Sequence, residues 1–174
     1  MDDWHSRLLD RTKFAVEGDP FWCDYLEQAM DGTETQRVLH LAIFAQPYLR
    51  FILEGKKTVE SRFSRNLCPP HRRVHRGDVL LLKESGTFIH GLCCVSDVWF
   101  YELDPTSWDV IRTHFAKAMC ADGSEFWTRR ESASFVTLMK LTHVIRTEPI
   151  PCEKRDRRGW VVLRSKRDGV LYEG

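Results

Sequence analysis

The sequence predicts an α+β protein, a small and mostly antiparallel β-barrel with peripheral helices and a helical extension at its N-terminus. Two observations carry this prediction. From residue 37 onward, short apolar segments bounded by turn residues outnumber helical ones and follow one another at the spacing of a meander. Only the first two of these segments have a helix between them, whereas a doubly wound parallel sheet requires regular alternation of strands and helices. Many short strands at such spacing favour a barrel.

The first 36 residues differ in charge from the rest of the chain. Residues 3–31 show helical periodicity, and Gly18-Asp-Pro20 divides them into two helices. Residues 1–36 hold nine acids and three bases, a net charge of −6, while residues 37–174 hold 16 acids and 23 bases, a net charge of +7. A length of 174 residues fits one domain with an appendage. We therefore divide the chain into an acidic helical extension, 1–36, and a basic core domain, 37–174.

Six strands are expected in the core domain, each an apolar or β-branched segment between turn signals. Gly77-Asp78 and Ser85-Gly86 bracket the third strand, and the fourth is long and of the antiparallel type. A loop rich in Pro, Arg and His, residues 64–77, separates the second strand from the third. In chain order the expected strands are 38–44, 59–63, 79–83, 88–101, 134–145 and 160–163.

Three helices are expected among these strands. The first, 46–54, has Pro47 in its first turn, where a missing N–H costs nothing, and Gly55 as the left-handed residue that ends it. The second begins with Asp104 as its N-cap, followed by a proline at the first helical position. A short third helix, with Ser124 as its N-cap, precedes the fifth strand and extends through residue 130.

The composition argues against several classes of protein. No apolar stretch reaches 18 residues, so no membrane span is expected. The acidic N-terminus lacks the basic and apolar regions of a secretory signal, which indicates a cytoplasmic protein with reduced thiols. The six cysteines include no CxxC pair and the histidines are dispersed, so neither a metal nor another cofactor is expected. Cys93 and Cys94 are neighbours on a strand, so at most one of them is expected to face the core.

Dense mixed charge follows the first core helix. Lys56, Lys57, Glu60 and Arg62 crowd the turn after Gly55 and the strand that begins there. Glu60 and Arg62 share a face, where the carboxylate holds the guanidinium either for phosphate contact or as a structural pair at the barrel mouth. Lys57 is a candidate phosphate clamp or, if desolvated, a general base; the alternative is an ordinary exposed lysine. Such clustering is typical of a site that binds an anion or tunes a proton.

A basic run near aromatic residues indicates single-stranded nucleic acid as a partner. Proteins that bind single strands combine such charge with aromatic side chains on which bases stack. Tyr48 and Trp127 are the candidate stacking residues, and the alternative is that they belong to the core. The run itself is either a contact surface or a solvated loop. Its arginines are Arg65, Arg72, Arg73 and Arg76. The +7 charge of the core domain also favours a polyanionic partner.

Several segments, in order along the chain, resemble the ASCH domain family (activating-signal-cointegrator homology). The sequence GKKTVESR at residues 55–62 looks like the GxKxxExR signature of that family. Other segments resemble its QP-aromatic helix start, its acidic-Gly-Ser…Glu-aromatic-Trp stretch and its closing segment. These are Gln46-Pro47-Tyr48, Asp122–Trp127, Pro149-Ile-Pro151 and Gly159-Trp160. The resemblance covers about residues 38–165 and leaves the acidic extension outside.

The resemblance implies a PUA-like β-barrel with a cleft lined by the signature residues, and RNA or a modified nucleoside as its ligand. It also implies chemistry, because some members are described as ribonucleases and one small bacterial group as N(4)-acetylcytidine amidohydrolases. The catalytic lysine of that group corresponds to Lys57, whereas Glu60 stands in place of its nucleophilic threonine. Its third catalytic residue, a glutamate, falls near Asp122 or Glu125.

Three functions are compatible with these observations. The leading hypothesis is an RNA-binding domain that holds single-stranded RNA or a nucleotide in a basic cleft near Lys57, Glu60 and Arg62. The second is a hydrolase of RNA or of a modified nucleoside, in which Lys57 acts as base or charge stabiliser and Asp122 or Glu125 carries the proton. The third is a protein-interaction module that docks its partner through the acidic extension. The sequence leaves the oligomeric state open.

Overall fold

The computed structural model describes residues 3–31, 37–86, 88–153 and 157–164. Within these ranges the chain forms five helices and six strands, in the order that the sequence predicts. The helices are α1 (Asp3–Ala15), α2 (Pro20–Asp31), α3 (Tyr48–Leu53), α4 (Pro105–Met119) and α5 (Ser124–Thr128). The strands are β1 (Leu39–Phe44), β2 (Val59–Ser64), β3 (Val79–Glu84), β4 (Phe88–Glu102), β5 (Phe135–Pro151) and β6 (Trp160–Arg164).

The six strands form one mixed sheet in the order β2-β5-β4-β3-β1-β6. Among the described strands every pairing is antiparallel except that of β1 with β3, which is parallel because α3 and β2 intervene between them in the chain. The sheet curves into a half-barrel whose edge strands are β2 and β6. The predicted α+β class and its mostly antiparallel, barrel-like sheet are therefore confirmed.

Both faces of the sheet are buried. One face lines the barrel interior with side chains such as Leu80, Leu82 and Cys93, while alternate positions such as Leu81 and Cys94 pack beneath α1 and α2. A third cluster lies under α4 and α5. Cys93 and Cys94 are accordingly both buried, at 0% and 4% exposure. The expectation that at most one of them faces the core is wrong. That expectation leaves the outer face of the sheet to solvent, whereas α1 and α2 cover it.

The helices α1 and α2 pack on the outer face of the half-barrel. Trp22 and Leu26 of α2 are each 1% exposed and belong to the same apolar cluster as the strands beneath them. The Tyr25 hydroxyl donates to the Gly77 carbonyl at 2.9 Å, and Arg7 pairs with Glu153 at 2.6 Å. The division of the chain into 1–36 and 37–174 stays a prediction, since the linking residues 32–36 lie outside the described part. None of the described helices combines the length and apolarity needed to cross a bilayer.

Most predicted helix ends agree with the structure. Asp104 accepts a hydrogen bond from the Ser107 N–H at 2.7 Å while Ser107 Oγ accepts one from the Asp104 N–H at 2.8 Å, so α4 begins with a capping box. Gly55 has the expected left-handed φ of 72°. The helix α5 differs from the prediction, because Gly123 rather than Ser124 is its N-cap and it already ends at Thr128.

The fifth strand is longer than predicted. Its pairing with β4 continues past residue 145 until Pro151 lies opposite Phe88. Register shifts interrupt this ladder, and His143 takes a φ of 50° within the shifted region. Such irregularities disturb the apolar alternation from which a strand is recognised, and so the sequence pattern ended the strand too early.

We expect the free energy of unfolding to fall as the pH rises from about 9 to about 11. Burial raises the pKa of the Cys94 thiol from 9.0 to about 11 and that of the Tyr25 hydroxyl from 10.0 to about 12. Both groups therefore lose their protons in the unfolded chain before they do so in the folded protein, which favours unfolding in this window.

Urea denaturation across the same pH range measures this fall. The Cys94→Ala variant should show a smaller decrease than the wild type, and Cys68→Ala, at an exposed position, should show the same decrease. An equally steep decrease in Cys94→Ala would show that the buried thiol is not a cause.

Candidate functional site

Three of the four charged residues of the 55–62 segment, Lys57, Glu60 and Arg62, meet at the start of β2, beside the C-terminal end of α4. Lys57 Nζ lies 3.3 Å from Glu60 Oε2, and Glu60 Oε1 lies 2.7 Å from Arg62 Nε. The side chains of Lys57 and Glu60 are only 2% and 6% exposed, and that of Arg62 is 20% exposed. The prediction that Glu60 and Arg62 share a face is confirmed, and the three residues form one ion-pair network.

The ammonium group of Lys57 has an acceptor for each of its three N–H bonds. Besides Glu60, it donates to the carbonyl of Val59 at 2.9 Å and to that of Met119, the last residue of α4, at 3.0 Å. Burial lowers the pKa of Lys57, and the attraction of Glu60 offsets part of that effect. The alternative of an exposed lysine is wrong, and a ligand would have to displace one of these acceptors to reach Nζ.

The guanidinium of Arg62 spans the open side of the half-barrel. From the edge strand β2 it donates to the Ile43 carbonyl on β1 at 2.9 Å and to the Gly159 carbonyl just before β6 at 3.3 Å. Its carbon Cζ lies 4.7 Å from the Phe44 ring centroid and 5.3 Å from that of Trp160. Arg62 thus links both edges of the sheet, as the structural-pair alternative requires. Its contact with phosphate stays a prediction.

Arg130 is a further cation at this site that the sequence analysis did not select. It follows α5, donates to the Phe126 carbonyl at 2.7 Å and lies 3.7 Å above the Phe126 ring and 5.7 Å from the Phe63 centroid. Burial lowers the pKa of Arg130, whereas Tyr48 and Glu60 both raise it. Its position within an Arg-Arg pair after a short helix gives no sequence signal that separates it from its neighbour Arg129.

Two cations, Lys57 and Arg62, pair with the Glu60 carboxylate, and the charge of Glu60 also raises the pKa of Arg130. Each of the three cations is at least partly removed from solvent. A surplus of positive charge is felt more strongly in such surroundings than in bulk water, because screening is weaker there. The arrangement favours an anion as the group that completes the site.

The predicted proton carriers do not join this network in the described part of the chain. Asp122 and Glu125 are both exposed, and Glu125 pairs with Arg129. Cys120 lies between the two regions: burial raises the pKa of its thiol, Lys57 lowers it and Asp122 raises it. No group of three or more His, Cys, Asp or Glu side chains among the described residues is arranged to hold a metal ion.

The predicted stacking residues and the first lysine of the signature lie around the network. Tyr48 is half-buried, with its ring 5.6 Å from Lys57 Nζ. Trp127 is also half-buried and donates its indole N–H to the Ala121 carbonyl at 3.2 Å. Lys56 is exposed and pairs with Glu54 at 2.6 Å. Tyr48 is thus close enough to share a ligand with the network, whereas Lys56 projects into solvent.

The arginine-rich segment between β2 and β3 is fixed to the sheet by His71. That side chain is buried, with Nδ1 3.2 Å from Thr137 Oγ1 and its ring packed against Phe100 and Phe135. The arginines around it point outward. Arg65 donates to Ser132 Oγ, and Arg65, Arg72, Arg73 and Arg76 are all exposed. The loop therefore presents a basic surface on a fixed support.

A second buried polar group lies inside the half-barrel and serves the fold. His40 Nε2 is 3.0 Å from Asp78 Oδ2, and the Trp160 indole donates to His40 Nδ1 at 3.1 Å. The Asp78 carboxylate also accepts from the Val38 N–H at 3.0 Å. His40 and Asp78 are 0% exposed, which leaves this group without access for a ligand.

The half-barrel sheet with its flanking helices is a PUA-like fold. The sequence model of the ASCH domain matches residues 43–151, which is more than half of the chain. This chain belongs to the ASCH domain family. The match starts after α1 and α2, which lie outside it.

Solved structures with the same fold come from an ASCH protein of Zymomonas mobilis. Its crystal structure superposes with a TM-score of 0.58 at 13% identity, over 74% of this chain and 89% of that one. A serine-to-alanine variant of that protein superposes with a TM-score of 0.60 at 13% identity, over 75% of this chain and 92% of the variant. A tyrosine-to-phenylalanine variant superposes with a TM-score of 0.59 at 13% identity, over 74% of this chain and 91% of the variant. Identities this low show the fold alone. No curated protein matches the sequence.

Proposed function

We propose that this protein binds single-stranded RNA or a nucleotide in a cleft beside Lys57, Glu60 and Arg62, and that Arg130 supplies a direct contact. The observation that carries the proposal is that three partly or fully buried cations, Lys57, Arg62 and Arg130, are accompanied by one buried carboxylate, Glu60. Phosphate is the anion that nucleic acids bring to such a site, and an arginine binds it through two N–H groups at once.

The roles of the cations differ. Lys57 is fully engaged and acts at a distance, through its charge and by holding Glu60 in place. Arg130 is half-buried, and within the described part of the chain only one of its N–H groups donates a hydrogen bond, so it is the better candidate for phosphate. Tyr48 offers a ring for a base, and the exposed arginines of the 65–76 segment extend the contact along a strand.

Replacing Arg130 with glutamine is expected to weaken binding of a short single-stranded RNA about tenfold at low salt, because one charge-assisted contact is lost. Fluorescence anisotropy at two salt concentrations measures this. Arg129→Gln is the matched control: its side chain is exposed and pairs with Glu125, and its loss should leave the affinity unchanged.

The proposal would be refuted if the wild type did not bind RNA at low salt, or if its binding did not depend on the salt concentration. Equal binding by Arg130→Gln and the wild type would remove Arg130 from the site. Urea denaturation of each variant separates a lost contact from a loss of folding.

A hydrolase is the second candidate, and the lowered pKa of Lys57 is the observation that favours it. A buried amine with a depressed pKa is a recognised form of general base. Against it stand the three acceptors on Nζ and the exposure of Asp122 and Glu125, of which Glu125 already pairs with Arg129. Cleavage of RNA or deacetylation of acetylcytidine by the purified protein, lost in a folded Lys57→Met variant, would establish the hydrolase.

A further inference from the structure

A groove on the outer side of α4 lies apart from the ion-pair network. It is lined by Pro105, Trp108, Asp109, Arg112 and Glu131. A continuous path of ring contacts joins it to the site: Arg130 packs over Phe63, and Phe63 stacks on Trp108 with centroids 5.5 Å apart and planes 11° apart. The groove therefore adjoins the candidate site, with the Phe63 ring between Arg130 and Trp108.

The groove offers a planar ligand two kinds of π contact. Trp108 is half-buried and lines the groove. The Arg112 guanidinium lies 5.6 Å from the Trp108 ring centroid and 5.4 Å from that of Trp127. Nucleobases stack both on indole rings and on guanidinium planes, whatever their sequence.

Two carboxylates line the same groove, which a site for phosphate alone would not contain. Asp109 extends from α4 and Glu131 from the turn after α5, and both are exposed. Carboxylates only accept hydrogen bonds and repel phosphate. Guanine is the RNA base whose Watson–Crick edge carries two adjacent N–H donors, at N1 and at the exocyclic amine, and a carboxylate accepts both at once.

We propose that this groove is a guanine-binding subsite, in which an unpaired guanine stacks against Trp108 and Arg112 and is read by Asp109 or Glu131. The inference rests on the proposed RNA binding and adds a base preference to it. Arg112 offsets part of the carboxylate charge and so lets a polyanionic strand approach.

The test compares three short oligoadenylates whose central nucleoside is guanosine, inosine or adenosine. Inosine keeps the N1 donor and lacks the exocyclic amine. We expect the wild type to bind the guanine oligonucleotide about tenfold more tightly than the inosine one, with the tryptophan fluorescence changing on binding.

The double variant Asp109→Asn/Glu131→Gln should lose this preference and should bind the all-adenine oligonucleotide as well as the wild type does or better.

The matched control is Asp24→Asn/Glu148→Gln, which removes two exposed acids outside the groove and should keep the preference. Equal affinity of the wild type for the three oligonucleotides overturns the guanine subsite and leaves the proposed RNA binding intact. A preference that survives in Asp109→Asn/Glu131→Gln also overturns it. Failure of all three to bind overturns both proposals together.

Discussion

Replacing Glu60 with alanine is expected to lower the free energy of unfolding by about 3–5 kcal/mol. The Glu60 carboxylate is the counter-charge of the ion pairs with both Lys57 and Arg62, and its side chain is only 6% exposed. Its removal leaves an ammonium at 2% exposure without an ionic partner. An uncompensated buried charge costs far more than the attraction in an exposed pair contributes, because the interior cannot replace water around it.

Urea denaturation of Glu60→Ala measures this loss, and Glu54→Ala is its matched control. Glu54 also pairs with a lysine, Lys56, at 2.6 Å, but in an exposed position. Its replacement should change stability much less, because solvent screens the pair and rehydrates the lysine. Equal losses in the two variants would show that the Lys57–Glu60 pair is not isolated from solvent.

A double-mutant cycle separates the pair from its surroundings. In Lys57→Met/Glu60→Ala the charge that Glu60→Ala leaves stranded is gone, so the double variant should be less destabilised than the sum of the single variants. Additive losses would contradict the coupling, and the carbonyls of Val59 and Met119 would then account for the stability that Lys57 provides.

Local sequence signals were enough to predict the type and order of the helices and strands, although not every end of them. A capping residue before a proline located the start of α4, and a glycine after an apolar helix located the end of α3. These features depend on a few consecutive residues, and so the sequence contains them in full. The burial of Cys94 was not predictable in the same way, because the helix that covers it is distant in the chain.

In the candidate site too, contacts between residues close in the chain were predictable, and contacts between residues far apart in it were not. The proximity of Glu60 to Arg62 follows from the period of a strand and was predicted. The bond from Lys57 to the Met119 carbonyl, 62 residues away, and that from Arg62 to the Gly159 carbonyl, 97 residues away, depend on the tertiary fold. Arg130 reaches the site only because α5 packs beside β2, which no spacing in the sequence encodes.

The signature residues therefore hold the fold together as well as defining the site. Arg62 joins β2 to β1 and to the start of β6 at the opposite edge of the sheet, and Lys57 joins β2 to α4. A loss of RNA binding on replacing either residue would not distinguish a missing contact from a loosened barrel. The exposed arginines after β2 are free of this ambiguity, because their side chains project from a segment that His71 already fixes.

Replacing Arg72 and Arg76 together with glutamine is expected to weaken binding of single-stranded RNA on the order of a hundredfold at low salt, since each charge-assisted contact contributes about tenfold or more. Titration at several salt concentrations should also show the slope of log K against log salt reduced by about 1.4, because a single strand releases roughly 0.7 counterion for each phosphate neutralised. Stability should stay unchanged, as both side chains are exposed.

The control Arg129→Gln/Arg146→Gln removes two exposed arginines outside this segment and should keep the wild-type slope. An unchanged slope in Arg72→Gln/Arg76→Gln would mean that the loop does not contact the strand, whereas equal reductions in both double variants would mean that net charge alone attracts RNA.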